Sequence, residues 1–308
     1  MRLPVVLLLL SLLTACKPSR PAAKESLLEA RGDFVTHLTR RTSDGEAVEH
    51  PPEGVFKLVH YTSPAGELAA YLTPPTGDGA KHPAIIWLFG GFSNGIGDTA
   101  WQPAPAANDQ SARAFREAGI VMMYPSLRGG NKNPGFQEGF YGEVNDVLAA
   151  RDYLSRQPNV DPDRIYLGGH STGGTLALLV AASSDRFRAV FSFGPADEVV
   201  GYGKDLLPFD IKDEKEANFR APVQWLEAIH NPTYVFEGTE KTSNIASLRI
   251  LAKASRNPEI RFEPVSGVNH FSILSPVTRL LAKKVIEDSG PATSIKIDAK
   301  ELEAAVKL

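Results

Sequence analysis

The run Gly169-His170-Ser171-Thr172-Gly173 puts a serine between glycines placed two residues away on either side. Upstream, Arg164 to Gly168 reads as a short buried strand, and downstream Thr172 to Ala182 reads as a helix of small residues. A chain that turns this sharply from strand to helix lifts its serine above the sheet. Side chains two positions away would then clash, which is why glycine stands there. The serine also sits at a helix N-terminus, where backbone N–H groups and the helix dipole favour developing negative charge. The chemistry this arrangement serves is attack of a hydroxyl on a carbonyl carbon, with Ser171 as nucleophile. A helix-capping serine in a glycine-rich turn is the bland alternative.

A serine hydroxyl needs a general base within hydrogen-bond reach, and the base needs a carboxylate to orient it. Behind a strand–turn–helix serine the partners follow in the order acid, then histidine. Apart from the elbow, only His230 and His270 follow Ser171. His230 lies just before a strand, at the wrong edge. His270, in Gly267-Val268-Asn269-His270-Phe271, lies after the last strand and before the last long helix, and is the expected base. The acid is sought after the strand Thr233 to Glu237. Glu240, beyond the glycine turn, leads; Glu237 and Asp197 stay open as alternatives. Two oxyanion donors are expected: the N–H of Thr172, and that of Gly91 or Phe92 in Phe89-Gly90-Gly91-Phe92-Ser93-Asn94-Gly95.

These residues need a scaffold, and the sequence supplies one. Val55 to Thr62 and Glu67 to Thr73 flank Pro64-Ala65-Gly66 and read as an antiparallel pair. Pro83 to Phe89 and Ile120 to Tyr124 are continuously apolar, as strands covered on both faces must be. Helices are expected over Asp109 to Ala118, Tyr141 to Arg156, Asn244 to Ser255 and Pro276 to Glu287. Further strands are expected over Arg188 to Phe193, Thr233 to Glu237 and Ile260 to Val265. Strands alternating with helices predict an α/β fold: a doubly wound, mostly parallel sheet with helices on both faces. Residues 51–290 would form this one domain, with 198–230 as a cap insertion over its active edge. Residues 291–308 would be a peripheral tail with a short helix from Ala299 to Val306.

The first residues read differently. Met1-Arg2-Leu3 is followed by an apolar run from Val5 to Leu13, too short for a membrane span of roughly 20 residues. It suits the hydrophobic region of a secretory signal. Residues 1–15 are therefore expected to be a signal peptide, and 16–50 a tether and lead-in. Cys16 is the only cysteine, so no internal disulfide can form. The net charge of −3 and the lack of any dense basic run give no reason to expect a nucleic-acid partner. No His/Cys/Asp spacing suggests a metal site, and no cofactor is expected.

Two resemblances sharpen the expectation. Leu13-Thr14-Ala15-Cys16 resembles the lipobox of bacterial lipoproteins, which implies lipidation of Cys16, membrane attachment through that lipid, and a cell-envelope location. Lys17 after the cysteine implies the outer membrane, facing the periplasm. The elbow resembles that of the α/β-hydrolase superfamily. Tyr124-Pro125-Ser126-Leu127-Arg128-Gly129-Gly130, Gly142-Glu143-Val144-Asn145-Asp146-Val147 and Val160-Asp161-Pro162-Asp163-Arg164-Ile165 resemble the prolyl oligopeptidase catalytic domain. That resemblance implies a serine hydrolase acting on a peptide, amide or ester through a Ser171–His270–acid triad. Arg128 and Asp146 would brace the loop and helix. The stretch before the sheet looks too short for that family's β-propeller, and Phe89 stands where a tyrosine donor is found in prolyl oligopeptidase itself. A non-catalytic binding or assembly module on the same fold is the competing expectation.

Overall fold

The computed structural model describes residues 25–307. The expected signal peptide, Cys16 and the tether from Lys17 to Lys24 lie outside the described residues. The strands are β1 (Lys57–Ser63), β2 (Gly66–Leu72), β3 (His82–Leu88), β4 (Val121–Pro125), β5 (Val160–His170), β6 (Val190–Phe193), β7 (Thr233–Gly238) and β8 (Ile260–Val265). They form one sheet in the order β1-β2-β4-β3-β5-β6-β7-β8. β2 runs antiparallel to both its neighbours, and β4 through β8 pair in parallel. The helices are α1 (Leu27–Arg31), α2 (Ala114–Glu117), α3 (Glu143–Leu154), α4 (Thr172–Ala181), α5 (Glu214–Asn218), α6 (Pro222–Trp225), α7 (Ile245–Ala254), α8 (Leu274–Glu287) and α9 (Ala299–Val306).

Strand periodicity divides the core into two layers. Ala84, Ile86 and Leu88 of β3, with Ile165 and Leu167 of β5, face the layer shared with α3, α4 and α7. Ile85, Trp87 and Tyr166 face the opposite layer, shared with α2, α8 and α9. Successive side chains on a strand point to opposite faces, so a strand covered on both sides has to be apolar throughout. All ten residues of α4 are buried, which explains its lack of any polar face.

Three expectations change. The helix expected over Asp109 to Ala118 shrinks to α2. Ser111 Oγ donates to Asp109 Oδ1 at 2.6 Å, and Ala112 takes φ +48°, so the local side-chain bond wins over the first helical turns. The lead-in from residue 25 to residue 50 is part of the packed fold rather than a tether. A Ser26/Glu29 capping box starts α1, Leu27 is fully buried, and the Leu27 N–H donates to the Ala182 carbonyl at 2.9 Å. Arg31 then donates to the carbonyls of Tyr141 (2.8 Å) and Phe219 (3.1 Å). The Thr36 hydroxyl and the His37 N–H both donate to the Glu216 carboxylate. This strap pins the 198–230 excursion, which carries α5 and α6, against the start of α3.

The tail is also more than peripheral. Asp288, at the end of α8, is fully buried and accepts from the Tyr166 hydroxyl (2.6 Å), Arg188 Nε (2.7 Å) and Nη2 (3.1 Å), Thr293 Oγ1 (2.9 Å) and the Ser294 N–H (2.7 Å). Ile295, Ile297 and Leu302 then close the lower layer. Breaking a buried ion pair by removing one partner leaves the other charge uncompensated. Asp288→Ala is expected to cost about 3–5 kcal/mol of stability, read as a lower urea midpoint, whereas Glu303→Ala on the exposed face of α9 should leave the midpoint in place.

Candidate active site

Ser171 sits between β5 and α4 with φ +57° and ψ −117°, a conformation that L-residues rarely adopt. The Ser171 N–H donates to the Phe193 carbonyl at 2.7 Å, and its own carbonyl accepts from the Thr175 N–H at 2.9 Å. The glycines on either side are required by space. A Cβ on Gly169 would lie 2.4 Å from the Gly173 carbonyl oxygen, and one on Gly173 would lie 2.3 Å from that of Leu88. Backbone strain of this kind, costing about 1–3 kcal/mol, persists only where its surroundings over-determine it.

His270 is brought in by the loop between β8 and α8. Its Nδ1 lies 2.8 Å from Glu237 Oε2, and its main-chain N–H donates to the Thr242 carbonyl at 3.0 Å. A carboxylate can only accept, so Nδ1 carries the proton and Nε2 keeps the lone pair that a base needs. His170, next in the chain to Ser171, has its ring centroid 4.5 Å from that of His270, so the His270 loop lies against the elbow.

The acid facing His270 is Glu237, not Glu240. β7 continues to Gly238, so Glu237 occupies the buried C-terminal end of a strand paired on both sides. Its Oε1 accepts from the Gly238 N–H at 2.7 Å, and its Oε2 accepts from the Asn244 N–H at 3.1 Å as well as from His270. Glu240 lies beyond the turn with an exposed side chain; its N–H donates to the Val268 carbonyl at 3.0 Å and supports the His270 loop through the main chain alone. Asp197 accepts from Ser247 Oγ at 2.6 Å, away from the imidazole. His230 is exposed before β7. Sequence reasoning had one usable signal for Glu237: it directly continues the apolar run Thr233-Tyr-Val-Phe236, and a carboxylate so deep in a strand must be paired.

Room for the pair is left by Gly194, a residue that sequence analysis passed over. It has φ +58°, and a Cβ there would stand 2.4 Å from His270 Cε1 and 2.6 Å from Glu237 Oε2. Its carbonyl accepts from Asn244 Nδ2 at 2.9 Å, tying β6 to the start of α7.

Gly91, Phe92 and Thr172, the expected oxyanion residues, border one cleft of about 60 Å³, together with Phe140, Leu176 and Leu207. Thr172 is the first residue of α4, and N–H groups at a helix start have no carbonyl partner within the helix. Its hydroxyl donates to the Gly91 carbonyl, locking the two oxyanion segments together. Gly91 has φ +101°, with nothing within 4 Å of where a Cβ would stand. Phe89 stacks on Tyr124 at 5.0 Å and brings no donor.

Arg128 braces the loop beneath this cleft. Its Nε and Nη2 grip Asp146 of α3 at 2.9 Å each, and Nη1 reaches Glu138 at 2.6 Å. The neighbouring Glu143 is buried, which pushes its carboxyl pKa up; Oε1 accepts from the Glu138 N–H and from Asn94 Nδ2.

Comparison with known proteins places this geometry. The signature of the prolyl oligopeptidase family, peptidase S9, matches residues 106–241, from the Arg128 loop through the elbow to Glu237. Those residues are thus similar to part of a prolyl oligopeptidase family domain. The uncharacterized peptidase YtmA of Bacillus subtilis is 30% identical over 145 residues, covering 43% of this chain and 56% of YtmA. The dipeptidyl-peptidase 5 of Porphyromonas gingivalis is 30% identical over 141 residues, 42% of this chain and 19% of that enzyme. Among solved structures, the acylaminoacyl peptidase of Pyrococcus horikoshii superposes with a TM-score of 0.58 at 15% identity, covering 80% of this chain and 44% of its own. A puromycin-hydrolyzing peptidase of Mycobacterium tuberculosis gives 0.60 at 17% identity, with 76% and 39% covered. The chain thus spans little more than half of the curated peptidase YtmA and under half of these structures. The fold is the α/β-hydrolase type of the prolyl oligopeptidase domain.

Gly194→Ala should displace His270 from Glu237 while leaving the two core layers intact. A misplacement of about 1 Å at reacting groups costs about 100-fold, so any serine-dependent turnover should fall at least that far while the circular dichroism spectrum and the urea midpoint change little.

Proposed function

We propose that this chain is a serine hydrolase of the prolyl oligopeptidase type that transfers an acyl group from a peptide or acyl-amino substrate to water. The observation that carries this reading is the 2.8 Å contact between His270 Nδ1 and a fully buried Glu237, at the same sheet edge as the strained Ser171. His270 Nε2 takes the Ser171 proton as Oγ attacks the carbonyl carbon. Thr172 and Gly91 or Phe92 offer N–H groups to the oxyanion, and the developing imidazolium is held by Glu237. The proton then passes to the leaving amine. Water, deprotonated by the same imidazole, releases the acyl group.

Peptides are favoured over simple esters because the matched family is one of peptidases, as is the relative YtmA by its name. A panel of aminoacyl and acyl-peptidyl p-nitroanilides beside p-nitrophenyl esters tests this, and exclusive turnover of the esters would reverse it. A fluorophosphonate probe should label Ser171 in the wild type and leave Ser171→Ala unlabelled, with turnover falling about a million-fold. Glu237→Gln should lower kcat by about 10⁴-fold through loss of the correct imidazole tautomer. Glu240→Gln should leave it near the wild-type value; the reverse ranking would move the acid back to Glu240.

We further propose a lipid-anchored location in the cell envelope. Support comes from the Leu13-Thr14-Ala15-Cys16 run. Cys16→Ser should abolish incorporation of labelled palmitate and shift the protein from the membrane to the soluble fraction. Unchanged fractionation would refute the anchor.

A further inference from the structure

His170 lies inside the elbow, yet the mechanism above gives it no task. It is 1% exposed. Its Nε2 lies 2.9 Å from the main-chain oxygen of His270, and its ring edge meets Phe271, with centroids 5.6 Å apart. A carbonyl can only accept, so Nε2 carries the hydrogen and Nδ1 is the bare nitrogen. That Nδ1 is buried without a hydrogen-bond partner, 3.2 Å from where a Cβ on Gly90 would stand. Leaving a buried acceptor unpaired is costly, so the ring is held for what its other nitrogen does.

We propose that His170 is a positioning residue for the base: its Nε2–H fixes the main chain of His270 and so holds the imidazole in line between Glu237 and Ser171. This inference rests on the hydrolase reading of the same site. His270 is then secured at three atoms. Glu237 takes Nδ1, Thr242 takes the main-chain N–H, and His170 takes the main-chain oxygen. The third hold comes from the residue bonded to the nucleophile, so any drift of the elbow carries the base loop with it.

The charge state suits this task. Burial, with the neighbouring His270 adding to it, pushes the His170 pKa down to about 3. The ring therefore stays neutral wherever a histidine base can work, and keeps its single N–H on the carbonyl. A second cation with its ring centroid 4.5 Å away would oppose the imidazolium that forms on His270 during attack. A neutral donor avoids that.

The test compares His170→Phe, which fills the space without a donor, with His170→Gln, whose amide N–H occupies the Nε2 position. Misplacement of a base predicts that His170→Phe lowers kcat by about 10- to 100-fold with KM little changed, and that His170→Gln recovers most of the loss. A wild-type kcat in His170→Phe, or a His170→Gln enzyme as slow as the Phe variant, would overturn the proposal. Should the Phe variant fail to fold, His170→Asn replaces it: its shorter amide cannot reach the carbonyl, and the same loss is expected. A proton NMR spectrum gives a reading independent of turnover. The downfield resonance of His270 Nδ1–H should be sharp in the wild type and His170→Gln and broadened in the variant without the donor; an unbroadened resonance there counts against the proposal. If the wild type shows that resonance but takes no fluorophosphonate, the hydrolase reading fails, and the resonance still decides the role of His170.

Discussion

The conformation of one residue governs the rest of the site. Ser171 has positive φ because β5 must end, reverse and become α4 within a single step. That step brings main chain against main chain, with Gly169 on Gly173 and Gly173 on Leu88, at separations that no side chain tolerates. The strain is local, but its support is not. It comes from β3 and β6 on either side of β5, and those strands are positioned by the two apolar layers of the core. The conformation of Ser171 is a product of the sheet rather than of its own loop.

The other participants are delivered by the ends of neighbouring strands. In a parallel sheet every strand finishes at the same edge, so the loops after β3, β5, β7 and β8 meet there without any long excursion of the chain. The oxyanion segment follows β3, the serine follows β5, Glu237 closes β7 and His270 follows β8. Three buried charges near this edge are matched: Glu237 with His270 and two N–H groups, Asp146 with Arg128, and Glu216 with Arg220. Each pairing ties together segments distant in sequence or braces a cap helix, so the edge is stiff although it is built from loops.

The sequence was informative where local geometry leaves few choices. The elbow, the apolar central strands and the terminal helix from Ala299 to Val306 were readable because glycine spacing and apolar periodicity are local signals. The position of His270 after the last strand was readable from chain order. The carboxylate that faces His270 lies three residues before Glu240, because Glu237 is buried at the end of β7 while Glu240 is carried past the glycine turn into solvent. The glutamate that continues a buried strand was then ranked below one in open loop. Gly194 and His170 escaped notice for a different reason. Their roles depend on contacts across 76 and 100 positions of chain, each reaching His270, and no local pattern reports such meetings. The lead-in from residue 25 to residue 50 carries no local pattern that reports its packing. Its structure comes from carbonyls and carboxylates supplied by α3 and the cap.

That strap has a mechanical consequence. Leu27 is fastened to Ala182, at the C-terminal end of the helix whose first turn follows Ser171. A pull on the chain upstream of Ser26 is therefore borne first by α1 and the buried end of α4, and next by Arg31 against α3 and the cap. None of these contacts involves β7, β8 or the loop that carries His270. Traction at the N-terminus would be carried by the helix that follows Ser171, while Glu237 and His270 stand outside the line of force.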